Sequence, residues 1–121
     1  TATISPAYTQ DFVSKLEKAA TVKDGLVYLH IFSPCPTGWR FNPANTIAIA
    51  RLAVQTNFFP LYEYQDGKFK QTVAIKQPKP VKELIGQLGK FRHLQVAEIN
   101  DLQQWVDNKM ALLQKLWSSI N

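Results

Sequence analysis

Ser33-Pro34-Cys35-Pro36-Thr37-Gly38-Trp39 carries the one cysteine of a 121-residue chain. A thiolate is a nucleophile and a soft metal ligand, and it needs company for either task. As a nucleophile it requires a neighbouring base, and the sequence supplies none nearby. As an iron–sulfur ligand it requires three more cysteines, which this chain lacks. As filler it would be a small buried hydrophobe, the ordinary fate of a free cysteine. Proline on both sides stiffens the backbone and removes the amide donors at 34 and 36. Gly38 is expected to allow a tight or positive-φ turn just beyond. So rigid a setting suits a ligand or nucleophile, whereas composition alone suits filler, and both readings stand at this point.

His30 and His93 are the neutral-pH acid–base candidates. His30 lies in an apolar run, where a structural, hydrogen-bonded histidine is expected. His93 follows Arg92 in Gly89-Lys90-Phe91-Arg92-His93-Leu94, a segment that could meet an anion or another subunit, with plain solvation as the simpler reading. There is no Gly-rich phosphate loop, paired-His metal motif or serine elbow. Thr37-Gly38 is too little for a phosphate cradle. Phe58, Phe59, Tyr62, Tyr64 and Phe69 read as hairpin packing rather than base-stacking platforms.

Hydrophobic residues make up 45% of the chain and charged residues 19%, as in a folded domain. One cysteine fits a reducing compartment, so a cytoplasmic location is expected. Fourteen Lys+Arg against nine Asp+Glu give +5, but the lysines form no block. A solvated basic surface is expected, not a nucleic-acid site. Thr46 to Val54 is too short to span a bilayer and is broken by Arg51, so no membrane partner is expected. Thr1-Ala2-Thr3-Ile4 has no signal-peptide character and no initiator methionine, so the chain is expected to begin inside a longer protein.

These residues need elements to position them. Ala2 to Ile4 reads as a strand end, and Ser5-Pro6 as the start of a helix. Tyr8, Phe12, Leu16 and Ala19 or Ala20 supply that helix with an apolar face, with Lys15 and Lys18 outward. Asp24-Gly25 is a turn. Leu26 to Phe32 holds no Lys, Arg, Asp or Glu, which predicts a parallel strand buried on both faces. The strand–helix–strand order is a βαβ crossover, and Ser33 to Trp39 follows its carboxyl end, where such sheets carry function. Asn42-Pro43 opens another helix, with Ile47, Ile49, Ala50, Ala53 and Val54 on its apolar face, and Asn57 could end it. Residues 58–64 and 68–75 flank Gln65-Asp66-Gly67 as a hairpin. It is expected to be an appended piece. After Gln77-Pro78-Lys79-Pro80, a short helix runs from Val81 to Leu88. Val96, Ile99, Leu102, Val106, Met110, Leu113, Leu116 or Trp117, and Ile120 then mark one long amphipathic helix. Its stripe is expected to seek cover from outside the chain.

Three stretches are distinctive together: Ile4-Ser5-Pro6-Ala7-Tyr8, Leu29-His30-Ile31-Phe32-Ser33-Pro34-Cys35-Pro36-Thr37-Gly38-Trp39, and Gly89-Lys90-Phe91-Arg92-His93-Leu94. They closely resemble the carboxyl-terminal part of the β subunit of pyruvate:ferredoxin oxidoreductase (pyruvate synthase) and its 2-oxoacid:ferredoxin relatives. Arg51-Leu52-Ala53-Val54 and Phe59-Pro60-Leu61-Tyr62-Glu63 are similar too, so the likeness runs through nearly the whole chain in order.

The resemblance implies an α/β fold. Residues 1–57 would be the last βα units of a thiamine-diphosphate-binding parallel-sheet domain. Residues 58–121 would be a carboxyl-terminal extension of hairpin and helices. It implies an enzyme that decarboxylates a 2-oxoacid, passes electrons through [4Fe-4S] clusters to ferredoxin and releases acyl-coenzyme A. The loop is most similar to that of the pyruvate and branched-chain enzymes, so pyruvate is the expected substrate. Cys35 matches the fourth ligand of the [4Fe-4S] cluster beside thiamine diphosphate and Mg²⁺, with Pro34, Pro36, Thr37, Gly38 and Trp39 as loop support. The upstream Cys-x-x-Cys pair and the Gly-Asp-Gly motif for Mg²⁺ and diphosphate are missing here. No thiamine-binding or catalytic residue is therefore assigned in this chain. Its expected partners are the rest of the β subunit, other oxidoreductase subunits, ferredoxin, the 2-oxoacid and coenzyme A. The rival reading is a non-enzymatic assembly module in which Cys35 merely packs.

Overall fold

In a computed structural model, residues 1–120 are described, and the side chain of Ile120, expected at the end of the last stripe, lies outside them. Among the described residues the chain forms a mixed α/β structure. Strand β1 (Ala2–Ile4) leads through helix α1 (Thr9–Thr21) to β2 (Leu29–Ile31) and a single turn, α2 (Pro36–Trp39). Helix α3 (Thr46–Gln55) follows, then β3 (Leu61–Gln65), β4 (Lys68–Val73), α4 (Val81–Gln87) and α5 (Val96–Ile120). The sheet order is β2-β1-β3-β4. β1 and β2 are parallel, with Ala2 opposite Leu29 and Ile4 opposite Ile31, as the βαβ reading requires. The hairpin joins the same sheet, because β3 runs antiparallel beside β1. Thr3 supports that junction: its hydroxyl donates to Pro60 O at 2.8 Å and accepts from Tyr62 N–H at 2.9 Å.

Local chemistry explains most boundaries. Asp66 and Gly67 both take positive φ (52° and 75°), the geometry of a two-residue hairpin turn. Asn57 (φ 56°) ends α3 in the left-handed conformation that asparagine tolerates. Glu98 reaches back to the Gln95 N–H at 2.7 Å, closing the first turn of α5.

Three expectations are corrected. Helix α1 starts at Thr9, not at Pro6, because residues 5–8 form a tight turn closed by Tyr8 N–H on Ser5 O at 3.1 Å. Lys15 does not face outward: its side chain is buried, with Nζ donating to Thr3 O, Asp11 Oδ2 and Thr72 Oγ1 at 2.7–2.9 Å. These partners stand in for the water a buried ammonium gives up. Lys18, by contrast, is exposed as expected, and pairs with Glu63 at 2.8 Å. The apolar run at 26–32 gives a short edge strand instead of a strand covered on both faces; Leu26 is 92% exposed, and Tyr28 and Ile31 are open as well.

The last helix finds much of its cover at home. Val106 and Met110 are buried. Val106 shares a cluster with Val81 and Ile85 of α4, with Ile99 and Leu102 at its margin, while Trp117 meets the ring of Phe69 at 5.5 Å. A side chain fully buried in this way is worth about 1.5–3 kcal/mol. Gln103 fastens the two helices by accepting from the Val81 N–H at 2.7 Å, one of the donors a helix start leaves open. Trp105, Leu112 and Leu116 remain exposed on α5. Among the described residues, no helix is long and apolar enough to cross a membrane.

Candidate iron–sulfur ligand site

The main core joins Phe32, Ile49, Ala50, Ala53, Val54, Phe59, Leu61, Leu84 and Leu88. Residues from all three distinctive stretches lie at its border: Ala7 and Tyr8, Trp39, and Phe91. Burial raises the Tyr8 hydroxyl pKa, partly offset by the Arg51 guanidinium nearby.

Cys35 stands where β2 gives way to α2, and its side chain is exposed. The backbone at Cys35 is extended (φ −111°, ψ 102°), and Pro36 then opens the helical turn with its ring already suited to that position. Cys35 O accepts the Trp39 N–H at 2.9 Å, and Pro36 O accepts the Phe41 N–H at 3.1 Å. The sulfur itself accepts the Gly38 N–H at 3.3 Å.

The tight turn expected of Gly38 is present, as α2. The positive φ falls on Arg40 (57°), not on Gly38. Glycine at 38 matters for space, since a Cβ there would stand 3.2 Å from Cys35 Sγ. Ser33 and Thr37 are exposed, and Pro34 and Pro36 are half-buried beside the cysteine. Trp39 turns inward, its ring 5.5 Å from Phe32 and 6.3 Å from Phe41.

His30 is exposed, unlike the buried structural histidine expected, with its ring edge-on to Phe59 at 5.0 Å. The cause is the open edge of β2. Arg92 and His93 are exposed, as solvation predicts. Sequence reasoning missed Lys90 and Arg40. Gly89 N–H donates to Arg40 O at 3.0 Å, and Lys90 Nζ stands 4.8 Å from the Trp39 ring centre and 4.7 Å from that of Phe91. The sequence hinted at this only through Lys90 lying in the third distinctive stretch and Arg40 directly following the second.

An exposed sulfur that accepts a backbone N–H, in a space a methyl group would narrow, fits one corner of an iron–sulfur cluster. Among the described residues no three His, Cys, Asp or Glu side chains come together as a metal site, so Cys35 would supply one ligand of several.

No family model matches the chain. Ketoisovalerate oxidoreductase subunit VorB of Pyrococcus furiosus is 44% identical over 117 residues, which is 95% of this chain and 37% of that protein. Pyruvate synthase subunit PorB of Methanothermobacter thermautotrophicus is 43% identical over 107 residues, 88% of this chain and 37% of that protein. The chain belongs to the 2-oxoacid oxidoreductase β-subunit family. It spans little more than a third of the length of these relatives. The NADH-dependent phenylglyoxylate dehydrogenase subunit beta of Aromatoleum evansii is 40% identical over 118 residues, 95% of this chain and 26% of that protein.

Proposed function

We propose that this chain is the carboxyl-terminal part of the β subunit of a 2-oxoacid:ferredoxin oxidoreductase, with Cys35 as the fourth ligand of a [4Fe-4S] cluster. The observation that carries the reading is the Cys35 turn: an exposed sulfur, the Gly38 N–H on it, and a glycine that keeps its flank clear. Bound there, the cluster would carry electrons one at a time toward ferredoxin. The three other cysteines, thiamine diphosphate and Mg²⁺ belong to the remaining part of the subunit, so the chain alone is incomplete for catalysis.

The open edge of β2 supports the same reading. Apolar residues exposed on a parallel edge strand are the expected trace of a sheet that continues. In this picture residues 1–57 close the thiamine-binding domain, and 58–121 form an extension carried on the other side of β1. The substrate is a 2-oxoacid, with pyruvate the first to test because the Cys35 loop is most similar to that of the pyruvate and branched-chain enzymes. Acyl-coenzyme A is the product, and the compartment is the reducing cytoplasm.

The test uses the complete β subunit in its complex. Cys35→Ala should lower the iron count and change the electron paramagnetic resonance signal of the proximal cluster. A four-iron cluster with an unchanged spectrum would sink the ligand assignment and leave the assembly module as the better reading.

A further inference from the structure

Gly89 and Lys90 touch the Cys35 turn without belonging to it. Arg40 closes that turn in the left-handed conformation, which is costly for a residue with a side chain. Its carbonyl is held by the Gly89 N–H at 3.0 Å, and no other residue than glycine fits there. A Cβ on residue 89 would stand 2.6 Å from Arg40 O and 2.8 Å from Arg40 Cβ, distances at which the backbone itself must move. The next residue, Lys90, is half-buried, with its ammonium shared between the rings of Trp39 and Phe91. Trp39 is tied back to the cysteine, since its N–H donates to Cys35 O at 2.9 Å. The Gly89–Phe91 turn is itself anchored by Leu88, buried in the main core.

We propose that the Gly89-Lys90 turn is a positioning element for Cys35, in which Gly89 fixes the backbone of the cysteine turn and Lys90 adds a positive charge to its surroundings. This rests on the reading of Cys35 as a cluster ligand. A cation beside a metal group favours the reduced, more negative state and so raises its reduction potential. A lysine held on two aromatic faces keeps that charge in a fixed place, whereas a solvated lysine would be averaged and screened. Gly89 acts through Arg40, whereas Lys90 acts by its charge, which Trp39 and Phe91 hold in place.

The experiment is a redox titration of the complete complex followed by electron paramagnetic resonance, with iron counted in each variant. Lys90→Met keeps the stem and removes the charge, and it should retain the iron while lowering the midpoint potential of the proximal cluster. Lys90→Arg keeps the charge and should restore the wild-type potential. Lys90→Gln is the second neutral variant should Lys90→Met fail to assemble. Gly89→Ala should alter the line shape of the same signal. Wild-type potentials in the neutral variants together with a wild-type line shape in Gly89→Ala would overturn the proposal, provided Cys35→Ala abolishes the signal in parallel. If Cys35→Ala leaves the cluster intact, the underlying ligand assignment falls instead, and the Lys90 argument falls with it.

Discussion

A methyl group on Gly38 would stand 3.2 Å from Cys35 Sγ, the same sulfur to which the Gly38 amide donates at 3.3 Å. One residue thus supplies the sulfur with a donor and leaves it room. At 3.2 Å the sulfur would have to give by a few tenths of an ångström. Alanine in a helical turn is otherwise favoured over glycine by about 0.5–1 kcal/mol. Gly38→Ala should therefore unfold no earlier than wild type in a thermal scan while retaining less iron per β subunit. An equal iron content would show that the space is not used.

Lys15 and Lys18 sit one turn apart on α1 and should behave differently. Lys15 is buried among the Thr3 carbonyl, Asp11 and Thr72, whereas Lys18 meets Glu63 with its own side chain 47% exposed. Breaking a buried pair leaves an unpaired carboxylate behind, so Lys15→Met should cost about 3 kcal/mol. Lys18→Met should cost less than about 1 kcal/mol. Urea midpoints at constant slope decide between them, and equal costs would contradict the burial of Lys15.

Lys109 predicts a pH dependence. Its Nζ donates to Phe58 O at 2.6 Å and lies 4.2 Å from the Trp105 ring centre, yet burial lowers its pKa from 10.5 to about 8. Between those values the unfolded chain binds more protons at this site than the folded one, so its contribution to stability rises with pH through that window. Below about 8 both states are protonated and the desolvation cost is complete. The stability of wild type relative to Lys109→Met should thus improve between about pH 7 and about pH 9.5. Chemical denaturation at the two pH values checks it, and a flat difference would mean that the carbonyl and the indole hold the cation at its ordinary pKa.

The edge of β2 gives a prediction about the larger protein. Tyr28 O and Phe32 N–H are spent on β1, at 3.0 and 2.9 Å. By strand alternation the backbone groups of Leu29 and Ile31 face the free edge. In the complete β subunit those two amides should exchange slowly with solvent, as when another strand pairs there. Fast exchange at both, read by amide hydrogen exchange, would mean that β2 ends the sheet in the full protein too.

Much of the fold was legible in the chain, for local reasons. Asp66-Gly67 dictates its hairpin because both positions need positive φ. The steps of three and four from Val96 onward give one helix, since that spacing keeps apolar residues on a single face. What local pattern misjudged was cover. The apolar run at 26–32 announces burial, but burial depends on which element lies alongside, and here β2 is an edge. Lys15 reads as a surface lysine because charge is normally solvated, and only Thr3, Asp11 and Thr72 arriving from three elements make an interior place for it.

The sequence by itself determined the Cys35 turn, because prolines at 34 and 36 restrict the backbone wherever that segment sits and glycine at 38 leaves room beside the sulfur. It also carried the family likeness, in stretches far apart along the chain. Only the tertiary structure decided that those stretches meet: Gly89 reaches Arg40, and Lys90 reaches Trp39, across about fifty residues of intervening chain. Such contacts follow from how α3, β3 and α4 share one core, and no spacing within either stretch encodes them.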